Sequence, residues 1–166
     1  MKEVFVDFEK CLGCKNCEIY CAVEHSKSKD LFQAIFEEPK PVKRINVVRV
    51  GEVNFPIRCR HCEEPICVDA CPTGALRVEN GIVKHDESRC IGCWMCAVVC
   101  PFGAITAIPG RKIVLKCDRC PDLDVPACVK ACPTNALIFS ELDEALREKR
   151  ERVVSLISAF KKEVVI

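Results

Sequence analysis

Bulky side chains are scarce in this chain of 166 residues, which has eight Phe, one Trp and one Tyr. The 49% hydrophobic content counts sixteen cysteines and so overstates the apolar core. A chain this poor in bulk needs staples, and bound metal would supply them. No apolar run approaches the roughly 20 residues that cross a bilayer, which excludes a transmembrane helix. The opening MKEVFVDFEKC lacks a basic and apolar leader and a twin-arginine pair, so the expected compartment is the cytoplasm, where stable disulfides are rare. A Gly-rich dinucleotide loop and a hydrolase nucleophile motif are also missing. Neither a catalytic site nor a nucleic-acid partner is expected.

What is abundant is cysteine. The sixteen fall into four groups: Cys11, Cys14, Cys17, Cys21; Cys59, Cys62, Cys67, Cys71; Cys90, Cys93, Cys96, Cys100; and Cys117, Cys120, Cys128, Cys132. Each reads C-x2-C-xn-C-x3-C, and the first and third have the bacterial ferredoxin spacing. Pro72, Pro101 and Pro133 follow the last cysteine of three groups, and only Cys21 lacks the proline. Three cysteines in a tight loop can reach three iron corners of a cubane, and Gly13 and Gly92 permit the close backbone approach. The fourth cysteine, expected to start a helix after the loop, ligates a different cluster. Four [4Fe–4S] clusters follow, each with three local ligands and one borrowed. Structural zinc also uses paired C-x2-C thiolates but gives no reason for the third loop cysteine or the trailing C-x3-C-P.

The segments CPTGAL, CPFGAI and CPTNAL, starting at 71, 100 and 132, repeat a turn that leads into a strand. Short alternating runs at 4–8, 82–86 and 112–116 precede cluster loops, and Asn80-Gly81 reads as a hairpin turn. The fold expected is α+β, two nested ferredoxin-like modules with two clusters each. The inner module would span 55–108 and the outer one 1–21 plus 109–139, together a polyferredoxin domain over 1–139. An insertion at 22–54 and a helical tail at 140–166 complete the chain.

In order and spacing, including HCEEPICVDACPTGAL at 61–76, the groups resemble the four-cluster ferredoxin-like subunits of molybdenum and tungsten oxidoreductases, hydrogenases and carbon monoxide dehydrogenases. The resemblance implies four ligand sets: Cys11, Cys14, Cys17 with Cys132; Cys117, Cys120, Cys128 with Cys21; Cys59, Cys62, Cys67 with Cys100; and Cys90, Cys93, Cys96 with Cys71. It also implies a catalytic oxidoreductase subunit as partner, a second electron donor or acceptor, and a hetero-oligomer. CIGCWMCAVVCPFGAI and CAVEHSKSKDLF look most like the subunits accompanying carbon monoxide dehydrogenase or tungsten-dependent aldehyde oxidoreductase, ahead of formate dehydrogenase and hydrogenase. Anaerobic metabolism would follow. A free polyferredoxin shuttle and a zinc scaffold are the competing functions.

Within the insertion, DLFQAIFEE reads as a helix capped by Asp30 and stopped by Pro39 and Pro41. RINVVRV and EVNFPIR read as strands around Gly51-Glu52. The tail opens on Ser140 and Asp143 in a capping-box-like pattern, with Leu142, Leu146, Val153, Leu156, Ile157 and Phe160 mostly on one face. Lys10, Lys15, Arg58, Arg60, Arg89, Lys116 and Arg119 adjoin the cluster loops. Positive charge there would raise a cluster's potential, although most of the seven are expected to be ordinary surface charges. His61 is expected to donate to a cluster rather than ligate it, and Trp94 and Met95 to shield one from water. His25 and His85 carry no readable signal.

Overall fold

A computed structural model describes residues 2–163, with the side chains at 109, 156 and 159–163 excepted. Its strands pair only two by two. Strand β1 (Lys2–Val6) pairs antiparallel with β8 (Leu137–Glu141), with Val4 opposite Phe139, so the two ends of the cysteine-bearing region meet. β2 (Ile45–Val50) and β3 (Val53–Arg58) form the hairpin expected of the insertion, turned at Gly51 with φ +57°. β4 (Leu76–Glu79) and β5 (Ile82–His85) turn at Asn80-Gly81, both left-handed as a type I′ turn demands. β6 (Ile105–Ile108) pairs with β7 (Ile113–Lys116).

A short helix follows each cluster loop: α1 (Asn16–Glu24), α3 (Ile66–Asp69), α4 (Met95–Val99) and α5 (Ala127–Lys130). It is the third cysteine of each group that opens the helix, not the fourth. In α3, α4 and α5 the fourth cysteine stands at or just past the end, where the next-residue proline forbids another turn. Without that proline, α1 runs through Cys21 to Glu24. One missing residue in the repeat thus lengthens one helix and redirects the chain into the insertion.

The insertion helix α2 spans only Leu31–Ala34, shorter than the pattern predicts. Asp30 does cap it, accepting from the N–H groups of Phe32 (3.0 Å) and Gln33 (2.9 Å). Only Ala34 is buried, while Phe32 and Phe36 are 75% and 82% exposed, so no packed face extends the helix. The tail helix α6 (Leu142–Glu163) packs on β8 and β1, and Arg152 pairs with Asp7 (2.5 Å) and Glu9 (2.8 Å). Ser140 does not cap it, because pairing opposite Glu3 commits that residue to β8. Leu142, Leu146, Val153 and Ile157 stay exposed, and Leu156 and Phe160 lie outside the described side chains. Among the described residues no helix is long and apolar enough to cross a membrane.

Two apolar clusters form the core. One joins Val4, Ile45 and Leu137 to Cys17, Cys21 and Cys128, and the other joins Leu76, Val83, Ile105 and Val114 to Cys96. Half of the first is cysteine.

Candidate metal centres

None of the sixteen cysteines forms a disulfide, and the fold gathers them across the sequence. One cavity is lined by Cys11, Cys14, Cys17 and Cys132, and a second by Cys90, Cys93, Cys96 and Cys71. Cys21 and Cys128 lie close enough to Cys117 and Cys120 to repel their thiolates, and Cys67 lies that close to Cys59 and Cys100. Cys62 sits in the Cys59 loop, and no contact distinguishes its set. Cys59 also neighbours Cys117, and Cys67 neighbours Cys96.

Burial first, then the neighbouring thiols and carboxylates, pushes several of these groups up: Cys17, Cys96 and Cys120 to about 11 and Cys21 to about 12. Thiols packed this way resist ionising unless a cation joins them. An iron core is such a cation, and soft thiolates are its ligands. The backbone meets the same demand. Ala136 N–H donates to Cys132 Sγ at 3.2 Å and Ala104 N–H to Cys100 Sγ at 3.5 Å. Against their burial, amide and threonine donors in the Cys-Pro-Thr turns hold Cys71 and Cys132 below the usual thiol range. The repeated CPTGAL and CPTNAL are therefore thiolate-binding turns. Cys21 has no such turn, and the insertion substitutes for it: Arg44 N–H reaches Cys21 Sγ at 3.2 Å. The donor set fits [4Fe–4S] clusters.

Left-handed residues let the loops curl inward. Gly13 and Gly92 have φ near +70°, and Lys15 and Trp94 turn the chain into α1 and α4 from the same region. A methyl group at Gly92 would fall 2.3 Å from the Lys112 carbonyl oxygen, whereas at Gly13 it would meet the Asn54 side chain at 2.6 Å, which can swing away. Gly13→Ala is expected to cost about 1 kcal/mol for the backbone alone. Gly92→Ala is expected to cost more and to lower iron retention. Thermal melts and iron analysis of the two variants check the ranking.

Of the seven basic residues near the loops, three are buried: Arg58 is 4% exposed, Lys116 3% and Arg119 6%. Arg58 Nη1 donates to the Cys59 carbonyl at 2.7 Å, and Lys116 Nζ to the Cys117 carbonyl at 2.7 Å and to the Val83 carbonyl. Arg119 pairs with Glu3, which lies 3.7 Å from Arg58. His61 is buried beside them. Its Nδ1 accepts from Val83 N–H at 3.2 Å, leaving a buried Nε2–H without a protein partner among the described residues. Burial and these three cations push His61 down to about 3, so the ring is neutral.

Sequence reasoning missed a network on Asp118. His25 Nε2 lies 3.1 Å from Asp118 Oδ1, and His25 Nδ1 donates to the Cys21 carbonyl at 2.7 Å. Arg44 pairs with the same carboxylate, which also accepts from Cys120 N–H at 3.0 Å. Against burial, the His25 hydrogen bond and the Arg44 charge hold Asp118 well below the usual carboxylate range. His25, Asp118 and Cys120 also place donor atoms within 4.8 Å of one another, but the carboxylate is already spent on hydrogen bonds. The signals that could have found it are the i, i+4 spacing of Cys21 in α1 and His25 just past its end, and an acid placed inside CDRC.

Models of 4Fe-4S dicluster domains match residues 51–142 and 10–76. The chain is 41% identical to an "Iron-sulfur protein" of Rhodospirillum rubrum, over 92% of this chain and 90% of that one. It is 35% identical to the electron transport protein HydN of Escherichia coli strain K12, over 90% and 95%. With the thiosulfate reductase electron transfer subunit PhsB of Salmonella typhi it shares 38% identity, over 84% and 75%.

Proposed function

Because this chain belongs to the 4Fe-4S dicluster family, we propose that it is an electron wire, a non-catalytic subunit relaying single electrons between a catalytic oxidoreductase subunit and a second redox partner. The observation that carries this reading is the pair of cavities each lined by four thiols from two distant segments. We assign Cys11, Cys14, Cys17 and Cys132 to one end of the wire, and Cys90, Cys93, Cys96 and Cys71 to the other. Cys117, Cys120, Cys128 and Cys21 hold the second position, and Cys59, Cys62, Cys67 and Cys100 the third. The nearness of Cys59 to Cys117 supports that order. When bound, each cluster supplies a centre that accepts and returns one electron. The chain's part is to hold the thiolates, donate amide hydrogen bonds to them and exclude water. Exposure of Cys14 and Cys93 favours the two end sets as points of entry and exit.

The nested modules, 1–21 plus 109–139 around 55–108, belong to the same proposal. For the catalytic partner we favour the carbon monoxide dehydrogenase or tungsten aldehyde oxidoreductase type, on the resemblance of residues 21–32 and 90–105 alone. Anaerobic purification is expected to give about sixteen iron and sixteen sulfide per chain, with interacting EPR signals after dithionite reduction. Zinc without sulfide would overturn the wire and leave a structural module. A stable complex with a catalytic subunit separates a dedicated subunit from a free shuttle.

A further inference from the structure

We propose that Arg58, Lys116 and Arg119 make the two inner clusters of the wire the first to be reduced, so that electrons rest at its centre and pass through less easily reduced ends. The proposal rests on the ligand sets assigned above and adds the order in which they fill.

The three cations lie where the inner sets meet. Arg58 is hydrogen-bonded to the Cys59 carbonyl and faces Cys117 and Cys128; Lys116 is hydrogen-bonded to the Cys117 carbonyl and faces Cys67; Arg119 sits between Cys117 and Cys120 in the chain. Partly exposed Glu3 serves both arginines, and the other carboxylate of the inner sets, Asp118 beside Cys117 and Cys120, is matched by Arg44 and His25. Each added electron makes a cluster and its four thiolates more negative. A fixed cation in a low-dielectric junction stabilises that change strongly, while an exposed one is screened by water and salt.

The ends are built differently. Lys10, Lys15 and Arg89, beside the end loops, are exposed. The buried charge next to Cys17 is an anion, Glu18, whose oxygens accept from Val47 N–H at 2.6 Å and from Lys43 at 2.6 Å. It opposes reduction at that end, less whatever Lys43 offsets. Besides its cysteines, the cavity of the other end is lined by Thr73, His85, Trp94 and apolar residues, with no Lys, Arg, Asp or Glu.

The test is a mediated dithionite titration of the four-cluster protein followed by EPR. With two electrons per chain, neighbouring inner clusters are expected to give interaction-broadened spectra from the outset. Two non-interacting signals at that stage would mean that a non-neighbouring pair fills first and would overturn the proposal. Lys116→Met, which keeps length and removes charge, is expected to lower the two highest midpoint potentials and move the two lowest little; Lys116→Arg is expected to restore them. Four unmoved midpoints in a fully loaded Lys116→Met protein would also overturn it, and if that variant fails to load, the wild-type titration decides. A wild-type protein without four clusters refutes the ligand reading instead.

Discussion

Removing the iron is expected to unfold this chain. The first apolar core cluster is half cysteine, and in the absence of metal those side chains have no reason to converge. Among the described residues every sheet has two strands, and an isolated hairpin is marginal in water. Three of the four cluster-loop helices are four or five residues long, far below the roughly 12 to 15 at which a helix persists alone. The junction adds a penalty. Taking the anionic partner from a buried charge costs about 3–5 kcal/mol, and the buried Arg58 and Lys116 both lie against thiolate sets. A domain's whole stability is about 5–15 kcal/mol, and losing two such partners is of that size. Anaerobic chelation under reducing conditions, followed by far-UV circular dichroism during heating, should show no cooperative transition, and iron plus sulfide should restore one. A cooperative melt in the iron-free protein would contradict this account.

The hairpin at Asn80-Gly81, the strands around Gly51 and the Asp30 cap were legible because a turn or a cap is a local bargain between neighbouring residues. The family of cofactor was legible because cluster loops keep three ligands within a few residues. What sequence alone hid was set by distance along the chain. Arg44 lends its amide to Cys21 across 23 residues, and Asp118 joins His25 across 93. Arg58, Arg119 and Lys116 look like loop charges in sequence and are buried where Arg58 and Arg119 meet β1 and Lys116 meets β5, contacts that lie 33 or more residues away along the chain. The length of α2 was overestimated for the converse reason. Its apolar residues suit a helix, but the fold offers them no surface to cover.

The proposed borrowing of the fourth thiolate leads to the sharpest expected result for the ligand sets. Cys132 stands fifteen residues beyond Cys117 in its own group yet lines one cavity with Cys11, Cys14 and Cys17. Cys132→Ala is therefore expected to cost about four iron per chain and to remove the same EPR signal as Cys11→Ala. Cys21→Ala is expected to match Cys117→Ala, despite belonging to the first group in sequence. If pairing instead followed sequence, Cys132→Ala would resemble Cys117→Ala, and EPR with iron analysis of the four variants separates the outcomes. The two exchanges should also differ in severity. Cys21 is buried in a core cluster with Cys17 and Cys128 and accepts from Arg44 N–H, so its loss opens the junction between α1, α5 and the insertion. Cys132 is partly exposed and lies past the end of α5. Cys21→Ala should therefore lower the melting temperature more than Cys132→Ala, because truncating a side chain inside a packed core leaves a cavity as well as a missing ligand.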